Sequence, residues 1–322
     1  MKQHRVGIIG LGTVGGRFVE QFGLHDRFNL VAAWDANPST RERWESTISV
    51  VDSARDVVIA SDVVYIAVPP AAHAEYVQLA VSEKTAVFCE KPLGVDLDES
   101  ESIRKLVNSS GLASAVNFVF GSAPSAVALH RAVHDGTLGE IRSADYVMHL
   151  AEWPRAWQAA ATWLAESAEG GWTREVSSHY AFLAHRVFGS LRLVDSNVRR
   201  PSPERAEDLV TARFTAGDVE ITFHGESGSA GNDSLAFTVH GSEQSMRIID
   251  WYRLERTNGS GEWEDVAIDT EPTAAWAAYR AQLDGLARLL DGEPTSLPTF
   301  DEAFEVQRLI ESILNTNEIT ND

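Results

Sequence analysis

The apolar run Arg5-Val6-Gly7-Ile8-Ile9 passes without a spacer into Gly10-Leu11-Gly12-Thr13-Val14-Gly15, after which Phe18, Val19 and Phe22 recur at helical spacing. A buried strand that becomes a helix through G-x-G-x-x-G has few folds open to it, and strand before and helix after are the context the motif requires. Gly10 permits the tight turn, Gly12 lets the backbone approach a pyrophosphate, and Gly15 allows the helix to pack closely on the strand. With Thr13 and Val14 these residues form a candidate cofactor loop, because a helix N-terminus favours phosphate charge. Taken alone, the glycines also suit an ordinary strand-to-helix turn.

The elements that follow favour the first reading. A second strand, Asn29 to Trp34, ends in Asp35, close to the spacing of a carboxylate that accepts hydrogen bonds from an adenosine ribose. Such a carboxylate repels a 2′-phosphate, so Asp35 points to NAD. With Asn37-Pro38-Ser39 next it also suits a helix cap, and Arg41 or Arg43 stands near enough to reach a 2′-phosphate, which keeps NADP open. A third apolar strand, Asp62 to Val68, ends at Pro69-Pro70, and a helix follows through His73, Val77, Ala80 and Val81. The fourth, Thr85 to Phe88, runs into Cys89-Glu90-Lys91-Pro92, which puts a charged pair at the exit of a buried strand. A helix from Asp98 to Asn108 leads to a further strand, Ala113 to Phe118. Strands alternating with helices in this way build right-handed βαβ units and a doubly wound parallel sheet.

From Asp208 onward the pattern changes. Val210, Ala212 and Phe214, then Val219, Ile221 and Phe223, alternate around Ala216-Gly217-Asp218 as in a hairpin. Leu235 to Val239 and Met246 to Trp251 add strands, and Ala274 to Leu290 and Phe300 to Leu314 are amphipathic helices. The fold class expected is α/β: a Rossmann sheet at residues 1–118 and, at 119–322, an α+β domain with a mainly antiparallel open sheet. A chain of 322 residues is long enough for two such cores.

Several classes drop out on composition. A net charge of −20 argues against a nucleic-acid backbone as partner. No window approaches the roughly 18 apolar residues of a membrane span, so a membrane partner is not expected. The first strand begins too early for a signal peptide's apolar segment. The single cysteine, Cys89, can form neither an internal disulfide nor a zinc site of paired cysteines. A cytoplasmic protein is expected.

Gly10 to Gly15, Val68-Pro69-Pro70-x-x-His73-Ala74 and Glu90-Lys91-Pro92-Leu93 together resemble the Gfo/Idh/MocA oxidoreductases, named after glucose–fructose oxidoreductase and inositol dehydrogenase. Gly136-x-Leu138-Gly139-Glu140-Ile141 resembles the entry to that family's second domain, and Gly170-Gly171 followed by His179 its catalytic helix. The resemblance implies NAD or NADP as cofactor, and a contact surface for it that includes Val68, Pro69, His73, Glu90 and Lys91. It also implies a small-molecule substrate, a homo-oligomer paired through the C-terminal sheet, and Lys91 beside nicotinamide and substrate as general acid/base. The chemistry has its own rationale. A partly desolvated lysine near a cationic nicotinamide has its ammonium form disfavoured, and can take or give a proton. A surface lysine paired with Glu90 is the plainer alternative, as a helix-packing role is for His73.

In the second domain the spacing predicts a helix from about Thr173 to Phe188, with Gly189 as its cap. Glu175 and His179 stand at i, i+4, where a carboxylate can orient an imidazole; an ordinary helix-surface pair has the same spacing. The family's usual aspartate is here Glu175, and Tyr180 replaces the acid often found after the histidine. Asn117 is kept as a candidate substrate contact, without the arginine often two residues on. Trp153, Trp157, Trp163 and Trp172, interleaved with Arg155 and Arg174, suggest the wall of a substrate pocket, though each also suits a core. The expected reaction is hydride transfer, without a metal, between nicotinamide and a hydroxyl or carbonyl carbon of a sugar-like or polyol substrate. An imine or small carbonyl reductase and a non-catalytic cofactor-binding regulator are the alternatives.

Overall fold

The apolar runs of the first third become five parallel strands: β1 (His4–Ile9), β2 (Phe28–Trp34), β3 (Val63–Ile66), β4 (Ala86–Cys89) and β5 (Ser114–Val116), in the order β2-β1-β3-β4-β5. The structure is a computed structural model and describes residues 2–268 and 270–315. Met1 and residues 316–322, at the ends of the two expected domain ranges, and Asp269 lie outside the described residues. Helices α1 (Thr13–Gly23), α2 (Pro38–Trp44), α3 (Ala54–Ala60), α4 (His73–Ser82) and α5 (Leu97–Ser110) connect the strands. Three of them start on side-chain caps: Asn37 accepts from the Ser39 N–H, Ser53 from that of Asp56, and Asp96 from that of Glu99.

These elements form one unit by Cα packing, residues up to Ser122, and Tyr279–Glu305 belongs to it as well. The reason is apolar burial. Val6, Ile8, Phe18, Phe22, Tyr65 and Phe88 share a core with Leu283, Leu286, Ala287 and Leu297. Phe18 packs on Tyr65 with ring centroids 4.3 Å apart. Each such side chain contributes about 1.5–3 kcal/mol by leaving water.

Ala123–Ala278 and the chain from Val306 form the other unit. Helix α6 (Pro124–His134) leads to β6 (Ile141–Leu150), and α7 (Ser178–Phe188) to β7 (Arg192–Arg199). Strands β8 (Leu209–Ala216), β9 (Val219–Ser227), β10 (Ser234–Gly241), β11 (Ser245–Ile249), β12 (Arg253–Thr257) and β13 (Trp263–Asp265) follow. The eight described strands run β13-β12-β11-β10-β6-β9-β8-β7, antiparallel except for the parallel pair β6 and β9. Alternation along β6 buries Ala144, Tyr146, Met148 and Leu150 and turns Asp145, Val147 and His149 to the opposite, half-buried face. Tyr146 stacks on Tyr180 at 4.2 Å and on Phe223 at 4.9 Å, so the buried face is the one that meets α7. The hairpin expected at Gly217 is present, with φ +58° at the glycine and Ala216 opposite Val219. Helices α8 (Ala274–Leu290) and α9 (Phe300–Leu314) have the predicted bounds. Among the described residues no helix is long and apolar enough to cross a membrane.

Two local expectations are corrected. Thr173–Ser177 is a π-helical turn rather than the start of the α-helix, with Glu175 inside that turn and His179 the second residue of α7. Trp251, expected within a strand, lies in the turn after β11 with φ +75°, next to Asp250 at φ +48°.

Arg174 explains part of the π turn's anchorage. Its Nε and Nη2 donate to the two oxygens of Glu311 at 2.6 and 2.9 Å, and its Nη1 donates to the carbonyls of Ser167 and Gly170, both at 2.8 Å. Both side chains are 9% exposed. Removing one partner leaves a buried charge uncompensated, whereas removing both does not. Arg174→Met is expected to lower unfolding free energy by about 3–5 kcal/mol in urea titrations, and Arg174→Met/Glu311→Leu by much less. Equal losses for the two variants would show that the charge pair is not what matters.

Candidate active site

Parallel register brings the ends of all five strands into line. Trp34, Ile9, Ile66, Cys89 and Val116 stand side by side across the sheet. One residue further on come Asp35, Gly10, Ala67, Glu90 and Asn117, and the ladder still binds the last four. Gly10 N–H donates to Trp34 at 2.8 Å, Ala67 to Ile9 at 2.8 Å, Glu90 to Ile66 at 2.9 Å and Asn117 to Cys89 at 2.7 Å. Four of these five residues are sequence candidates. Ligands in open α/β sheets bind beyond these carboxyl ends, where the strand order reverses, here around β1.

The glycine loop divides its work between packing and access. A Cβ on Gly10, where φ is +95°, would lie 2.4 Å from the Ala67 carbonyl, and one on Gly15 would lie 1.9 Å from the Gly10 carbonyl. A Cβ on Gly12 would meet nothing within 4 Å, which leaves its backbone open to a pyrophosphate. Helix α1 begins at Thr13 with no side-chain cap, so its leading N–H groups suit the same phosphate. Val14 is half-buried in that first turn. Asp35 accepts from the Leu11 N–H at 2.7 Å and the Asn37 N–H at 2.8 Å, one on each oxygen, and retains further acceptor directions for a ribose. Arg41 donates to the Asp35 carbonyl at 2.6 Å, and Arg43 to the Thr40 hydroxyl at 3.1 Å. These residues fit a dinucleotide.

Behind Lys91 lies a buried polar chain. The Tyr65 hydroxyl and the Asn117 amide both donate to Glu90 Oε1, and the Gln282 amide donates to Asn117 Oδ1. Glu90 is 8% exposed and Gln282 fully buried. Burial pushes the Glu90 carboxyl above the usual carboxylate range, opposed by the Tyr65 hydrogen bond and the Lys91 charge. Every donor in the chain points toward Glu90. The amide of Asn117 is therefore committed to Glu90 and Gln282 and supports the site from behind. Tyr65 and Gln282 are the members that sequence reasoning misses. A tyrosine in an aliphatic strand and a glutamine on an apolar helix stripe were the available signals.

His73 is a latch. Its ring is fully buried between the Val68 carbonyl, 3.0 Å from Nε2, and the Leu93 carbonyl, 3.3 Å from Nδ1. The ring fills the space between the segment after β3, with exposed Pro69, and the segment after Lys91-Pro92, and its one N–H donates to one of the two carbonyls. Burial pulls its pKa down to about 4, so it stays neutral at ordinary pH.

In the other unit, His179 is 9% exposed, and its ring meets the Trp251 edge-on at 5.4 Å. Glu175 is half-buried in the π turn before it. Trp251 is a neighbour of His179 that the sequence reading placed elsewhere; its left-handed backbone costs on the order of 1–3 kcal/mol and commonly marks functional sites. The tryptophans expected as one wall occupy different environments. Trp172 is fully buried against Phe223 and Gly225, in the core. Trp153 donates to the Leu164 carbonyl at 2.9 Å, under Arg155, whose guanidinium pairs with Asp233 at 2.9 Å. Trp163 is half-buried and Trp157 is 55% exposed. Arg174 and Arg155 thus already hold carboxylates of the protein.

Comparison with known proteins agrees with this geometry. Residues 4–118 match the oxidoreductase family's NAD-binding Rossmann fold, and residues 130–318 match its C-terminal alpha/beta domain. An inositol 2-dehydrogenase of Rhizobium meliloti is 28% identical over 144 residues, a match that spans only 42% of this chain and 42% of that relative. A D-apiose dehydrogenase of Paraburkholderia graminis is 23% identical over 296 residues, 86% of this chain and 76% of its own length. The solved oxidoreductase of Agrobacterium radiobacter, in complex with NAD+, L-tartaric acid and magnesium, has the same fold, with a TM-score of 0.82 at 17% identity over 98% of this chain and 97% of that one. Rossmann sheet, glycine loop and C-terminal sheet thus lead to one conclusion: the chain belongs to the Gfo/Idh/MocA family of NAD-binding oxidoreductases.

Proposed function

We propose that the protein is a dehydrogenase or reductase acting at a hydroxyl or carbonyl carbon of a small sugar-like or polyol substrate, with Lys91 as general acid/base. The observation that carries this reading is the order along the strand ends, Asp35, Gly10, Ala67, Glu90, with Lys91 one residue beyond. Asp35 would hold the ribose of a bound dinucleotide and the Gly12 backbone its pyrophosphate. Bound NAD supplies the hydride acceptor, or NADH the donor. Lys91 takes the substrate hydroxyl proton in oxidation and returns it in reduction. Glu90, held by Tyr65 and Asn117, backs the backbone from which Lys91 projects. His179 is the second proton-handling candidate, with Glu175 as its orienter and Trp251 at its side. The relatives that act on inositol and D-apiose support a polyol or sugar as the substrate class.

A panel of polyols and sugars with NAD+, set against cyclic imines and small ketones with NADH, tests the substrate class by absorbance at the NADH band. Turnover confined to the second group would overturn the polyol reading, and turnover with neither would favour the regulator. On the best substrate, Lys91→Ala is expected to lower kcat by about 10²–10⁴-fold with NADH affinity nearly unchanged. Wild-type turnover in that variant would remove Lys91 from the chemistry.

Asp35 makes NADH the preferred cofactor. Fluorescence titrations should give tighter binding of NADH than NADPH, and Asp35→Ser should narrow the difference; equal affinities in the wild type would sink the assignment.

The protein also acts as a homo-oligomer through the open face of the C-terminal sheet. The face carries Asp145, Thr222, His224 and Glu226, so the contact is a polar one. Light scattering after gel filtration should give a dimer or tetramer mass. A monomer at assay concentration would refute the pairing.

A further inference from the structure

The open face of the C-terminal sheet gathers two imidazoles and a carboxylate. Parallel pairing of β6 with β9 sets His149 opposite Glu226 and Val147 opposite His224. Side chains two residues apart on a strand share a face, so His149, His224 and Glu226 stand together, away from α7. One donor atom from each lies within 4.8 Å of the others. His149 Nδ1 is 2.9 Å from Glu226 Oε1, and the two imidazole rings have centroids 5.9 Å apart. The His149 and Glu226 side chains are 40% and 28% exposed in the single chain, on the face through which the proposed oligomer pairs, so a bound cation would lie at that contact. An ion pair accounts for His149 and Glu226. It does not account for a second imidazole with a donor atom within 4.8 Å of the pair.

We propose that His149, His224 and Glu226 bind a Zn2+-class cation that cross-links β6 to β9, with water in the remaining position. Two imidazoles and one carboxylate suit late first-row cations and are too nitrogen-rich for Mg2+ or Ca2+. Zinc–nitrogen and zinc–oxygen bonds of about 2.0–2.2 Å in tetrahedral geometry put donor atoms roughly 3.3 Å apart, so side-chain rotation from the present spacing closes the site. Ser229 Oγ donates to Glu226 Oε1 at 2.6 Å and fixes the carboxylate. Arg199 on β7 is the nearby cation, and it is engaged by Asp208 at 2.8 Å. The site lies in the C-terminal sheet and takes no part in the hydride chemistry; it clamps the only parallel pair among the sheet's described strands.

The test is calorimetric titration of Zn2+ into the full chain, free of any histidine tag and stripped with chelator, at pH 7.5. One Zn2+ per chain is expected, with a rise in Tm on saturation. His224→Ala should abolish both effects, and Ser229→Ala should weaken binding by about tenfold or more. Far-UV circular dichroism and the metal-free Tm of each variant check that the C-terminal sheet is folded. His149→Gln gives an independent arm should His224→Ala fail that check. No saturable binding in the wild type, or unchanged binding in both His224→Ala and His149→Gln, would overturn the site.

Discussion

Everything at the candidate active site depends on the register of five parallel strands. Hydrogen bonds that run one residue past the ends of β1, β3, β4 and β5 place Gly10, Ala67, Glu90 and Asn117 in a row, with Asp35 following Trp34 at the end of β2. Backbone geometry, rather than any long-range side-chain contact, converts five distant segments into one edge. A slip of a single residue in β4 would exchange the faces of Glu90 and Lys91 and bury the lysine where the carboxylate now sits, leaving the carboxylate at the half-buried position of Lys91.

The buried groups around that edge work as fasteners. Glu90 is an expensive residue to hide, and Tyr65, Asn117 and Gln282 supply the donors that make the burial tolerable. His73 packs between the β3 and β4 exits and donates its one N–H to a backbone carbonyl there. Arg174 and Glu311 serve the C-terminal unit in the same manner. Such groups hold backbone in place beside a reactive side chain, which is what a proton-transfer geometry needs.

Much of this was legible in the sequence, for identifiable reasons. Local signals survived folding: the glycines at 10, 12 and 15, the carboxylate after β2, the hairpin at Gly217, and the bounds of α8 and α9. Signals that depend on partners far along the chain did not. Nothing near Asn117 announces Gln282, and nothing near His149 announces His224 and Glu226, because sheet register alone joins them. Arg174 and Trp172 look like ligand-binding residues by type. They prove to be occupied by Glu311 and Phe223, which composition cannot reveal. The π turn at Thr173–Ser177 has no sequence signature comparable to a cap or a glycine, so the phase of Glu175 against His179 could not be read.

The core shared by β1, α1 and the segment after Tyr279 has a consequence for how the protein is made. Ala123–Ala278 intervenes between the two portions of the cofactor-binding unit. Val6, Ile8 and Phe18 leave the ribosome long before Leu283, Leu286 and Leu297, which complete their packing. The nascent Rossmann sheet therefore waits with an apolar flank uncovered while the whole C-terminal sheet is synthesised, a period of exposure to aggregation and to chaperones. For the same reason, residues 1–118 expressed by themselves would be a sheet without part of its core, so the cofactor unit of this chain is not separable by a single cut.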